Sequence, residues 1–208
     1  MNFINLDNVK GIMKQVSKIM DENKDYLVEL DSKAGDGDLG ISMSSGFKAV
    51  LESDAMEKQT LKKFFMTAGM VINEASPSSL GTIIFMGMIA GAKYVGDSET
   101  LDAASIGNFF MAAAQSIMDK TGSKPGEKTI LDSVIPAANV LMDSGNDLIP
   151  SVNRAYEAAK EGMLATKEMQ AVHGRAAYYQ EKSIGFQDGG ATVGMLFFKA
   201  INDYLTSL

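Results

Sequence analysis

The chain has 208 residues, 46% of them apolar and 22% charged, a balance that builds a buried core and excludes extended disorder and collagen-like or low-complexity structure for its bulk. A net charge of −7 argues against a nucleic-acid partner held on a basic face, and no run of 18 uncharged apolar residues is available to span a membrane. Cysteine is absent, which excludes disulfides, thiolate metal sites and a cysteine nucleophile; MNFINLDNVKG reads as no secretory leader, so a cytoplasmic location is the simplest fit.

Helical periodicity dominates from the start. Val9, Ile12, Met13, Val16, Ile19 and Met20 recur at three- and four-residue steps and predict a first helix over 6–30. Helices follow at 40–53, at 60–74 on the stripe Leu61, Phe64, Phe65, Ala68, Val71 and Ile72, and at 79–95. The pattern resumes at 100–120, with Ile106, Phe109, Phe110, Ala113 and Ile117 on one face. In the next helix, 130–145, Thr129 reads as an N-cap with Asp132 as its capping-box-like partner, and Pro136 is expected to kink the helix. The turn DSGND and Pro150-Ser151 restart the chain into 150–170, and 190–206 carries Val193, Leu196, Phe197, Ala200, Ile201 and Tyr204. Alternation of period two is scarce. The sum is an all-α fold of eight antiparallel helices in a bundle or barrel, one domain over 1–208 with no internal repeat. The 15 methionines read as gap-filling core residues.

Four stretches break the helical pattern with glycine and polar residues together: LDSKAGDGDLGISMSSG, NEASPSSLGT, TGSKPGEKT and GRAAYYQEKSIGFQDGGAT. The first is the most telling. Asp31, Asp36 and Asp38 fall within eight residues, and Gly35 and Gly37 let the chain turn tightly enough to aim three carboxylates at one point. Oxygen ligands suit a hard divalent cation, and one histidine, His173, cannot build a zinc site of several imidazoles. An EF-hand is excluded because its twelfth position, counted from Asp31, is Ser42. The plainer alternative is a solvated acidic turn in which Asp38 only caps a helix. Gly40-Ile41-Ser42 then open a helix whose amides suit a phosphate, without a Walker loop. Ala75-Ser76 and the following serines suit phosphate or simple capping equally. Arg175 is a natural bidentate phosphate ligand or a surface ion pair. Asp188-Gly189-Gly190 open the last helix, and His173 reads as structural.

In order, these residues form D-x-x-x-G-D-G-D-x-G, A-S-x-x-x-x-G-T, P-G-E-K-T-x-x-D and G-R-A-x-Y-x-x-E-x-S-I-G-x-Q-D-x-G-A-T. Over almost the whole chain they resemble DhaL, the nucleotide-binding L subunit of dihydroxyacetone kinase. The resemblance implies an eight-helix antiparallel barrel with the nucleotide site at one end. It implies two magnesium ions on Asp31, Asp36 and Asp38, and ADP or ATP against Leu39, Gly40, Ile41, Ser42, Ala75, Ser76, Gly122, Thr129, Ile130, Arg175, Asp188, Gly189 and Gly190, with Arg175 as the catalytic cation. It also implies partners: a DhaM-like subunit that rephosphorylates bound ADP, and a DhaK-like subunit that holds dihydroxyacetone or a related triose or polyol. The sequence departs from the family where Leu39 and Phe186 replace histidines, where Ser42 stands for an asparagine, and where Gly189 stands for a proline. Two alternatives go with it: a nucleotide-sensing subunit that binds a transcription regulator, and an ATP-dependent kinase subunit for another polyol.

Overall fold

The computed structural model describes residues 1–145 and 147–208, so the predicted turn DSGND lies partly outside the described residues at Asn146. Nine α-helices appear among the described residues: α1 (Leu6–Glu22), α2 (Lys24–Asp31), α3 (Leu39–Glu52), α4 (Leu61–Ala75), α5 (Ser79–Val95), α6 (Ala103–Thr121), α7 (Leu131–Met142), α8 (Leu148–Ala165) and α9 (Gly189–Thr206). The predicted 6–30 helix is two. Asn23 turns its side-chain amide back onto the Ile19 carbonyl at 2.8 Å, which ends α1 and lets α2 leave in a new direction. The predicted helix at 100–120 gives up its first residues to a strand. Thr100–Asp102 (β2) pairs antiparallel with Phe3–Asn5 (β1), with Ile4 opposite Leu101. Three residues on each side, about a hundred apart in sequence, leave no periodic trace.

Five of the helices, α1, α4, α5, α6 and α9, start on a side-chain cap. Asn5 and Asn8 cap α1 reciprocally, at 3.1 and 3.0 Å, and Thr60, Ser78 and Asp102 accept from the amides three residues on in α4, α5 and α6. The buried stripe of α1 is the one read from periodicity, Val9 through Met20. α1 packs on α3, and each later helix packs on the next; α9 then returns to α1 and the order of packing closes on itself. α2 stands outside that succession, against α3. Phenylalanines reach across to helices that are not neighbours in this order, Phe65 of α4 on Phe109 of α6 at 4.5 Å and Phe110 of α6 on Phe198 of α9 at 4.6 Å. Between them an apolar cavity of about 140 Å³ is lined by Met13, Phe65, Phe109, Ile130 and Phe197, among others.

α7 continues through Pro136 rather than ending there. Proline supplies no amide for the Asp132 carbonyl four residues before it. That carbonyl faces Gly162 of α8 so closely that a Cβ at 162 would collide with it. A bare α-carbon on one helix thus lets α8 nest against the gap that proline leaves in the other.

Candidate functional site

Asp31 ends α2 and Asp38 precedes α3, and the loop between them folds the carboxylates together. The Gly35 amide donates to the Asp31 carbonyl at 2.6 Å and the Gly37 amide to Asp31 Oδ2 at 2.8 Å. Gly37 sits at φ +75, and a Cβ on Gly35 would collide with the Asp31 carboxylate, so both glycines are required by this turn. The result is one oxygen from each of Asp31, Asp36 and Asp38 within 4.8 Å of the others. Asp38 occupies the N-cap position of α3 but its side chain caps nothing, which removes the plainer explanation for it. Its carboxyl is held above the usual carboxylate range, first by burial and then by repulsion from Asp36 and Asp31. Arg175 approaches from across the cleft and pairs with Asp36 at 2.7 Å while remaining 66% exposed.

These carboxylates form one wall of a cleft of about 350 Å³. The starts of α3, α5 and α9 all face it, through Leu39, Ser79-Leu80 and Gly189-Gly190. Three helix N-termini turned toward one space, each the positive end of its macrodipole, make that space favourable to anions. Glycine sets the approach of two of these helices. Gly40 lies against the Lys24 carbonyl, bringing α3 down onto α2, and Gly189 lies against Leu39, bringing α9 onto α3.

The opposite wall is built by two loops. In the first turn of α7, buried Asp132 accepts from two amides of the preceding turn, Gly126 at 2.5 Å and Thr129 at 2.7 Å. The predicted partnership of Thr129 and Asp132 exists, but Thr129 is not the N-cap: Ile130 holds that position with no side-chain cap, and Thr129 Oγ1 accepts from the Leu131 amide. Glu127 meets His173 at 2.6 Å and joins this turn to the segment that carries Arg175. That hydrogen bond is the main reason the Glu127 carboxyl lies below its usual range. Asp188 caps α9 through the Ala191 amide at 2.6 Å. Asp188 is half-buried as a residue, yet desolvation of its carboxyl pushes the pKa up to about 6, against the pull of the capping amide and of Lys128.

The raised value of Asp188 fixes the sign of a pH effect. The folded state holds this proton more tightly than the unfolded chain, so the group favours folding below about pH 4. That contribution is lost as pH rises through about 6. Thermal melts from pH 4 to 7 should show Asp188→Asn, which keeps a capping oxygen, losing less stability than the parent over that window. Parallel profiles would show that Asp188 does not titrate there.

Of the residues singled out in the sequence, Asp31, Asp36, Asp38, Leu39, Arg175, Asp188, Gly189 and Gly190 line the cleft. Gly40 is buried behind it, Ser76 is buried against Gly46 of α3, and Ile130 is buried with its amide beside Gly190 and its side chain in the apolar cavity. Ile41 is 52% exposed and Ser42 half-buried, one turn into α3, and Ala75 and Gly122 are exposed at the ends of α4 and α6. Thr129 is half-buried in the turn before α7. Leu39 and Phe186, the two departures from histidine, both line the cleft. Sequence reasoning missed Lys128, Gln187 and Pro77 as lining residues. Lys128 stood in a quoted motif, but its partners lie far along the chain.

Fold and site together define an all-helical protein whose acidic cluster faces several helix N-termini. The chain belongs to the DAK2 domain family, whose model matches residues 33–203, and within it is of the DhaL type. It is 35% identical over 185 residues to the ADP-binding subunit DhaL of PEP-dependent dihydroxyacetone kinase 1 from Listeria innocua, covering 86% of this chain and 87% of that one. It is 25% identical over 203 residues to the L-erythrulose 1-kinase of Mycolicibacterium smegmatis, covering 96% of this chain but 36% of that protein. The dihydroxyacetone kinase of C. freundii superposes with a TM-score of 0.75 in its native form at 20% identity, over 94% of this chain and 34% of that one. In complex with AMP-PNP and Mg2+ the same kinase gives 0.71. The chain thus spans about a third of the long relatives and nearly all of the short DhaL subunit.

Proposed function

We propose that this chain is the nucleotide- and magnesium-binding subunit of a dihydroxyacetone kinase, or of a kinase for a related triose or polyol. The observation that carries the reading is the convergence of three carboxylates, none capping a helix, on a cleft faced by the starts of α3, α5 and α9. Burial first and repulsion from Asp36 and Asp31 second hold Asp38 above its usual range, and a cation relieves that repulsion, so the donor set fits divalent magnesium. Asp31, Asp36 and Asp38 would hold it, as two ions. Magnesium there would neutralise charge on the terminal phosphate oxygens of ADP or ATP.

The chain's own residues supply the rest. Phosphoryl transfer asks chiefly for positioning and charge stabilisation. The amides opening α3 and α9 suit the phosphates, along Leu39 to Ser42 and Asp188 to Gly190. The termini of α4 and α6, at Ala75-Ser76 and Gly122, and the turn Thr129-Ile130 complete the nucleotide's surroundings in this reading. Arg175, 2.7 Å from Asp36, is a guanidinium within reach of the space a terminal phosphate would occupy. A DhaK-like subunit would bring the acceptor hydroxyl to the open cleft. A DhaM-like donor would recharge ADP in place, whereas an ordinary kinase would exchange it for free ATP.

The test is calorimetric titration of ADP with and without magnesium. Micromolar or tighter affinity that chelator abolishes is the expected result; magnesium-independent binding, or none, overturns the reading. Arg175→Ala should weaken MgADP by about 10- to 100-fold, the range for hydrogen bonds to a charged group. Binding of Mn2+ alone should not weaken, because the variant removes a cation that shares Asp36. An unchanged MgADP affinity would reduce Arg175 to a surface ion pair.

A further inference from the structure

Lys128 is 5% exposed and holds a left-handed backbone, φ 62, which side-chain-bearing residues seldom adopt. Its ammonium donates to three main-chain carbonyls: Thr166 at 2.7 Å, Met169 at 3.3 Å and Phe186 at 2.5 Å. Thr166 and Met169 stand where the chain leaves α8, and Phe186 where it enters α9. Everything between them, residues 170–185, is a loop whose 3-10 turns over Arg175–Ser183 are broken at Gln180, φ 47. That loop carries His173 and Arg175 to the cleft. All three ammonium protons are therefore used to bind the two roots of one loop together, and none is left for a ligand. Among the described residues the other ties are the Gly185 amide to the Lys167 carbonyl at 2.7 Å, the Asp188 amide to Thr166 Oγ1 at 3.0 Å between the roots, the contacts to Glu127 and the ion pair of Arg175 with Asp36, while the Ala171 amide to Ser183 Oγ at 2.9 Å closes the loop on itself. A buried cation on a strained backbone is a costly way to gain stability alone.

We propose that Lys128 is a positioning residue for phosphoryl transfer: its ammonium clasps both roots of the 170–185 loop and thereby holds Arg175 over the Asp31–Asp36–Asp38 cluster. Lys128 touches no nucleotide in this account and acts through Arg175. The proposal rests on the nucleotide reading above for its consequence and on the hydrogen bonds alone for its mechanism.

Lys128→Gly relaxes the left-handed backbone while deleting the clasp. Hydrogen exchange followed by mass spectrometry should show peptides within 170–185 exchanging at least about tenfold faster, with α1 and α9 unchanged. n-Butylammonium, the deleted side chain as a free molecule, should restore protection. MgADP affinity should fall to that of Arg175→Ala, and the double variant should bind no more weakly than Arg175→Ala. Unchanged exchange, or losses that add in the double variant, would overturn the proposal. Should Lys128→Gly fail to fold, Lys128→Arg keeps a buried cation but cannot place three donors as an ammonium does, and the same faster exchange is expected. If the parent binds no nucleotide at all, the nucleotide reading fails, and exchange with and without n-butylammonium still decides the clasp.

Discussion

Asp38→Asn is expected to lower magnesium-dependent ADP affinity by at least about 100-fold while leaving the far-UV circular dichroism unchanged. Loss of even an outer partner of a metal site commonly weakens it 10- to 100-fold, and a direct ligand should do no less. The fold should not notice, because this carboxylate caps nothing and its residue is exposed. The substitution even removes a source of repulsion among the three aspartates, so stability without metal should hold or rise slightly. Asp36→Asn should weaken binding as much, but it also frees Arg175 from its ion pair and is the less clean test. Unchanged affinity in both variants would remove the metal assignment.

Gly40→Ala should damage fold and site together. A Cβ at this position would collide with the Lys24 carbonyl and crowd Val28 Cγ2, and a backbone carbonyl cannot swing aside as a flexible side chain can. Overpacking of this kind costs about 1–3 kcal/mol, occasionally more. For a chain of this size the melting temperature should fall by roughly 2–12 °C. The separation of α2 from α3 would also pull Asp31 from Asp38, since each stands at the end of one of these helices. MgADP affinity should therefore drop in the fraction that remains folded at 25 °C. Gly122→Ala is the control. Its Cβ meets nothing within 4 Å, so only the strain of φ +73 remains and the loss should be about 1 kcal/mol. A wild-type melting temperature for Gly40→Ala would show that α2 and α3 do not pack as described.

Much of this was legible in the residues, for reasons that differ from element to element. The stripe from Val9 to Met20 and the stripes of α4, α6 and α9 bury the faces that periodicity marks, because helix burial has a period the sequence must repeat. The break at Asn23 was hidden, since Leu27 and Leu30 carry the apolar pattern onward into α2. The acidic cluster was legible because its members lie within eight residues and their glycines announce the turn. The clasp at Lys128 was not, because its three acceptors are carbonyls 38, 41 and 58 residues away and carbonyls have no residue signature. The 3-10 stretch at Arg175–Ser183 likewise has no apolar stripe: among its residues only Ser183 is buried.

The position of Leu39 and Phe186 at the cleft bears on the reaction. Neither side chain has a polar atom to offer the carboxylates, so the proposed metal site does not depend on them. Both present apolar surface to it, so among the described residues Lys128, His173 and Arg175 are the basic side chains that line the cleft.

The most direct test is native mass spectrometry of the purified chain with ADP and magnesium. The account predicts a dominant species heavier by one ADP and two magnesium ions, reverting to the bare chain in Asp38→Asn. A bare chain at saturating ADP and magnesium, or equal ADP occupancy with magnesium chelated, would contradict it.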